Sequence, residues 1–169
     1  MQHRFTVREL CVCALLGAMV HAAKFAMSFL PNIEPVTLLL AVYAVALGGR
    51  RAMAAAAVFV GLEGLLYGFG LWFWCYAYAW PLWVLAAWLL RRCESRLVWA
   101  AAAGAYGLCF GALFALPYLF IGGPAMALSY WVSGIPWDIL HGTGNFVLFL
   151  CLMRPLTGAF RAMRQKIRL

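Results

Sequence analysis

The sequence predicts an all-α integral membrane protein: six transmembrane helices in a single membrane domain, residues 1–169, with both termini cytoplasmic. Three observations carry this. Of the 169 residues, 67% are hydrophobic and only 11% charged, more apolar surface than a soluble domain of this length can hide. The apolar residues fall in repeated runs near the length that crosses a bilayer. The cations gather in every second connection between those runs.

The runs cover roughly 9–30, 36–49, 52–69, 72–90, 97–121 and 138–156. The first extends from about Leu10 to Leu30 and leads into more runs of membrane length, so it reads as a span and not as a cleavable signal peptide. The second is the shortest. Arg4 and Arg8 precede the first run, and Arg50 and Arg51 in "GGRR" separate the second from the third. Arg91, Arg92 and Arg96 in "RRCESR" separate the fourth from the fifth. Arg154, Arg161, Arg164, Lys166 and Arg168 follow the sixth, in or before a basic tail (161–169). Twelve of thirteen cations therefore share one side, and the intervening loops, about 28–37, 68–74 and 122–137, hold none. The positive-inside rule places that side in the cytoplasm. The same asymmetry accounts for a pI near 9.5 without nucleic acid as a partner. Each basic cluster reads as a topology anchor in contact with lipid headgroups of the bilayer. Six cysteines, Cys11, Cys13, Cys75, Cys93, Cys109 and Cys151, lack a CxxC pattern and read as small core residues.

The outward connections differ in character. "PNIEP" (31–35) is turn-rich and acidic, and "FGLWFWCYAYAW" (69–80) and "SYWVSGIPWD" (129–138) are crowded with aromatics. Part of this is the interfacial aromatic belt. The excess at the outward end reads as the lining of a binding site.

Polar residues inside the apolar runs sharpen that reading, because an ionisable group at the bilayer centre costs a few kcal/mol and faces a partner or a wet cavity. "VFVGLEGLLYGFG" (58–70) carries Glu63, one of only five acids. His21, Lys24 and Ser28 fall at i, i+3 and i+7, on one helical face. Glu63 and Tyr67 fall at i, i+4, and Asp138, His141 and Asn145 at i, i+3 and i+7. Three helices thus present polar faces at one level, as a pocket open to the outside requires. Plainer readings stand beside this one. Glu63 pairs with Lys24 for structure alone; Asp138 caps the helix after Pro136; His141 is a satisfied bundle histidine. Asp138 and His141 as two metal ligands are a weak pattern. Ala14, Ala18, Ala22 and Ala26 recur every four residues beside Gly17, a spacing that admits close helix approach within the chain or from a partner.

"LPNIEPVTLL" (30–39), "VFVGLEGLLYGFGLWF" (58–73), "FIGG" (120–123) and "GIPWDILHGTGNF" (134–146) resemble stretches of the substrate-binding S components of energy-coupling factor (ECF) transporters. Size, six spans, cytoplasmic termini and basic cytoplasmic loops extend the resemblance over essentially the whole chain. It implies a multi-pass subunit of a bacterial plasma membrane that binds a vitamin or similar organic micronutrient from outside. It further implies association with a transmembrane T component and two ATPase subunits, whose ATP hydrolysis drives release after the S component topples in the bilayer. The family's AxxxA motif contacts the T component; "ALLGA" supplies Ala14 and Ala18, with "AMVHA" an overlapping register. The loop between the first two helices, holding Pro31, Asn32, Glu34 and Pro35, is implied to help cover the pocket. The chain carries no GxxxxGK[ST] stretch, which fits a subunit powered by others, and no cofactor is expected. Position two is Gln, with His3 next to it, unlike the histidine of related nickel or cobalt uptake components.

The expected substrate-binding residues are Lys24, Asn32, Glu34, Glu63, Asp138, His141 and Asn145 for polar contacts, and Tyr67, Trp72, Trp74, Tyr130, Trp131 and Trp137 for stacking or apolar walls. The aromatics suit a planar heterocycle such as riboflavin, thiamine or its precursors, pyridoxine or a queuosine precursor, with cobalamin requiring wide loop opening. Two rival classes remain: an intramembrane enzyme using Asp138 and His141 as an acid–base or metal pair, and an assembly subunit without ligand, whose outward polar faces would be paired internally and leave no cavity.

Overall fold

The computed structural model describes residues 4–166; His3 and Arg168, named above, lie outside the described residues. Thr6 starts the first helix with a capping box. Its hydroxyl accepts from the Glu9 N–H at 3.2 Å, and the Glu9 carboxylate accepts from the Thr6 N–H at 3.1 Å. The helices are α1 (Val7–Ala26), α2 (Val36–Ala46), α3 (Gly49–Tyr67), α4 (Leu71–Leu89) with a 3-10 turn at Leu90–Arg92, α5 (Arg96–Leu108) and α6 (Phe110–Lys166). No strand occurs among the described residues. Three stretches are long and apolar enough to cross a membrane: Val7–Ala26, Leu71–Arg92 and Arg96–Lys166. Val36–Ala46 is a shorter apolar helix. The chain is thus all-helical with a composition compatible with a membrane protein. α3 is less apolar because it carries Arg50, Arg51 and Glu63.

The last stretch is a hairpin. Gly123 has φ 78° and ψ −174°, a conformation open to glycine and costly for other residues, and Pro124 follows, where its fixed φ suits a helix start. Contacts step evenly away from this turn on both limbs: the Tyr118 and Tyr130 rings stack at 4.2 Å, the Gly111 N–H meets Asp138, Gly107 lies on Gly142, and Asn145 meets Ala103. This corrects one expectation. The sequence places an outward loop at about 122–137, between the fifth and sixth apolar runs, yet residues 124–137 are helical, so the sixth segment begins near 124 and not at 138. Pro136 removes only its own N–H from the ladder, and packing against residues 110–122 holds the rest. The basic tail is likewise helical as far as Lys166.

α2 is the core. Every residue from Val36 to Ala46 except Val45 is buried, with α1, α3, α4 and α6 all packed against it. A helix apolar on all sides is one enclosed by protein, and its eleven residues span only about 16 Å. Next to it runs a ladder of aromatic rings: Tyr76 meets Trp80 at 5.4 Å, Trp83 meets Tyr106 at 4.7 Å, and Phe110 meets Phe114 at 4.6 Å. Trp83 fastens the ladder to α2 through its indole N–H, which donates to the Thr37 carbonyl at 2.7 Å.

The cations other than Lys24 gather at one end. Arg51 pairs with Glu9 at 2.6 Å, and Arg164 donates to the Ala46 carbonyl at the C-terminus of α2 at 3.1 Å, where positive charge is favoured. Gly49 abuts Trp88, whose ring lies 4.0 Å below the Arg91 guanidinium. The cysteines also depart from expectation. Only Cys13 and Cys75 are buried; Cys11, Cys109 and Cys151 are exposed on the outer surface, where a small apolar side chain facing lipid is as well placed as one in the core.

The small residues of α1 divide by face. Ala14, Ala18 and Ala22 are exposed. Gly17 is buried, and a Cβ there would lie 2.6 Å from Val58 Cβ and 2.7 Å from the Ala55 carbonyl. The close helix crossing within the chain is therefore made by Gly17. Gly17→Val is expected to destabilise the protein by about 1–3 kcal/mol or more, read as a lower melting temperature in mild detergent. Ala18→Val on the outer face is expected to melt like the parent, and equal losses in both variants would show that the crossing is placed elsewhere.

Candidate functional site

At the end opposite the cations, α1, α3 and α4 converge on Glu63. Its side chain is almost fully buried, at 2% exposure. One carboxylate oxygen meets His21 Nδ1 at 2.6 Å, and the other forms an ion pair with Lys24. Lys24 also donates to the Tyr76 hydroxyl at 3.2 Å, and its ammonium lies 5.1 Å from the Tyr76 ring centroid, a cation–π distance. Both Glu63 oxygens are thus engaged within the protein. Lys24 is the charged group of this cluster that retains exposure, at 25% of its side chain.

Two cavities adjoin here. The smaller, about 320 Å³, is bounded by Lys24, Ser28, Asn32, Glu34, Glu63, Tyr67 and Tyr76 among others. The larger, about 560 Å³, is bounded by Asn32, Glu34 and Tyr76 again, then by Phe110, Phe114, Tyr130, Trp137, Asp138 and His141. Asn32, Glu34 and Tyr76 form the shared wall. The connection between α1 and α2 supplies two of these. Asn32 holds φ 55°, a left-handed turn that asparagine tolerates, and donates to the Trp137 carbonyl at 3.2 Å. That bond joins the connection to α6 over the larger cavity.

The two other acids at this end are only partly satisfied. Asp138 Oδ1 accepts from the Gly111 N–H at 2.8 Å, while Oδ2 is buried without a partner among the described residues. Glu34 Oε2 is likewise buried and unpartnered. Burial pushes the Glu34 carboxyl above the usual carboxylate range; nearby Lys24 opposes this and Glu63 adds to it. His141 Nε2 lies 3.5 Å from the Thr37 hydroxyl, and its ring stands edge-on to Phe110 at 4.8 Å. Buried polar atoms normally have partners. Two unpartnered acceptors beside a cavity of ligand size therefore define what it suits: a molecule with N–H or O–H donors and a planar body that the rings can sandwich.

Nine of the thirteen residues expected from the sequence border these cavities: Lys24, Asn32, Glu34, Glu63, Tyr67, Tyr130, Trp137, Asp138 and His141. Four do not. Trp72 packs on Tyr76 at 5.4 Å, behind the wall. Trp74 and Trp131 are 61% and 40% exposed on the outer surface. Asn145 is buried one turn further in, donating to the Ala103 carbonyl at 3.4 Å. Tyr76, Phe110 and Phe114 are wall residues missing from the expected set. A signal for Tyr76 was present: Trp72, Tyr76, Trp80 and Trp83 follow helical spacing, which marks the inward face of α4. Phe110 and Phe114 share the same i, i+4 relation. Among the described residues no three His, Cys, Asp or Glu side chains cluster as metal ligands. In comparisons with known proteins, no family model, no curated protein and no solved structure matches the chain.

Removing one partner from a buried ion pair leaves the other uncompensated, at a cost of about 3–5 kcal/mol. Glu63→Gln is accordingly expected to lower the melting temperature in detergent markedly, while Lys24→Met combined with Glu63→Leu recovers much of the loss. A Glu63→Gln protein that melts like the parent would show that the cluster does not hold α1 to α3.

Proposed function

We propose that the chain is the substrate-binding S component of an ECF-type importer, crossing a bacterial plasma membrane six times with both termini in the cytoplasm. In this reading it captures a vitamin-like micronutrient from outside and delivers it with a T component and two ATPase subunits. The observation that carries the proposal is the pair of buried, unpartnered oxygens, Glu34 Oε2 and Asp138 Oδ2, beside aromatic-walled cavities at the end away from the cations. The assembly-only reading expects paired polar faces and no cavity, and both features weigh against it. Asp138 and His141 border the same cavity but turn to separate partners, Gly111 and Thr37, which favours holding a ligand over exchanging a proton with each other.

The ligand best suited is a planar heterocycle with ring or amino N–H donors. Those donors reach Glu34 and Asp138, Lys24 faces an acceptor on the ligand, and Tyr76, Phe110, Phe114 and Trp137 enclose the ring. The exposed Ala14, Ala18 and Ala22 stripe supports a second helix docking on α1, since close approach needs small side chains facing outward.

Native mass spectrometry of protein purified from rich medium is expected to find a stoichiometric small-molecule adduct. Asp138→Asn and Glu34→Gln should each lose it; loss of one buried hydrogen bond that leaves its partner unsatisfied weakens binding about ten-fold or more. An empty protein that also fails to bind a panel of vitamins would overturn the proposal. Co-expressed with its T component and ATPase subunits, the Ala14→Leu/Ala18→Leu protein is expected to lose co-purification while keeping the adduct. Retained co-purification would place the partner on another face.

A further inference from the structure

A further cavity lies at the opposite end of the bundle and plays no part in the site above. It measures about 690 Å³ and brings together Arg91, Arg92, Arg96, Arg154 and Arg161, with Glu94 the one acid. These residues come from distant parts of the chain: the turn after α4, the first turn of α5 and the last turns of α6. Trp99 and Met153, both buried, also line it.

Clustered cations at this end are expected for topology alone, but topology does not require them to converge. Other cations here are answered within the protein. Arg51 pairs with Glu9, Arg50 lies 3.8 Å from the Phe5 ring centroid, and Arg164 reaches the Ala46 carbonyl. Within the cavity, Arg154 donates to the Glu94 backbone carbonyl at 2.9 Å, and Arg91 to the Trp88 carbonyl at 2.7 Å. Among the described residues the side chains of Arg92, Arg96 and Arg161 make no hydrogen bond or ion pair, and the Glu94 carboxylate makes no ion pair with any of the five. A concave surface with five guanidiniums and one carboxylate focuses positive potential, and planar guanidinium forks match the paired oxygens of a phosphate.

We propose that this cavity is a binding site for a phosphate group. Two sources carry that chemistry: the headgroup of an anionic phospholipid in the adjoining leaflet, for which basic pockets between helices are suited, and a soluble phosphate. The proposal does not depend on the importer reading, because it uses none of the residues of that site.

The test uses the full chain in a non-ionic, phosphate-free detergent. Native mass spectrometry and melting curves would follow titration with phosphatidylglycerol, with zwitterionic phosphatidylcholine, and with inorganic phosphate. Arg96→Gln/Arg161→Gln removes two charges from the cavity, and Arg4→Gln/Arg8→Gln removes two from the start of the chain, outside it. Arg96→Lys/Arg161→Lys keeps the charge and loses the fork, and serves if the glutamine variant folds poorly. One bound phosphatidylglycerol, weakened about ten-fold or more by the cavity substitutions and not by the control pair, supports the site with lipid as its source. The same pattern with inorganic phosphate assigns a soluble source. Equal weakening by both pairs would reduce the cluster to unspecific attraction and overturn the proposal, as would failure of both phosphates to bind.

Discussion

The buried carboxylate of Glu63 constrains everything at the site end of the molecule. An ionised carboxylate in apolar surroundings is tolerable only if both oxygens are met, and His21 and Lys24 meet them from α1. That requirement fixes how α1 lies along α3. Gly17, one turn before His21, lets the helices approach closely enough for the bonds to form. Lys24 then extends the tie to α4 through Tyr76, and Tyr76 is the wall shared by both cavities. A residue whose charge is consumed internally thereby decides where the free polar groups stand.

The cavities themselves follow from a mismatch of lengths. α2 is short and enclosed at every residue but Val45, while its neighbours run on past its N-terminus. The connection before it, with Asn32 and Glu34, consequently lies within the bundle's outline and not above it. The hairpin of residues 96–166 closes the other side, and its glycines set the spacing. A Cβ on Gly107 would strike the Gly142 backbone, and one on Gly111 would strike the Asp138 carboxylate. The bond from the Gly111 N–H to Asp138 exists because nothing stands between them. It holds one oxygen of Asp138 and leaves the other beside the cavity.

Charge divides the molecule lengthwise. The acids at the site end face partners or cavities inside, while the arginines at the other end are mostly exposed. The long apolar surfaces between the two ends need no charge, which suits a protein that is lipid-facing along its sides. In the two proposals made above, the ends would serve groups of different character without competing: hydrogen-bond donors with a flat ring at one, a compact anion at the other.

Much of this was legible in the sequence, because it depends on local pattern. Helical content, the runs of apolar residues, the placement of cations in alternate connections and the three polar faces all follow from composition and 3.6-residue spacing, and nine of the expected site residues border the cavities. Tertiary structure decided the rest. Trp131 was indistinguishable in sequence from Trp137, since an aromatic-rich helix does not declare which face its neighbours will cover. Residues 124–137 stand in the gap between two apolar runs, and it is packing against 110–122 that holds them as helix. The small residues of α1 offered two faces for close approach, and the shape of α3 selected Gly17 for the inside and left Ala14 and Ala18 outside. Spacing along one helix is a property of that helix alone, whereas pairing, enclosure and the emptiness between helices arise only when several are brought together.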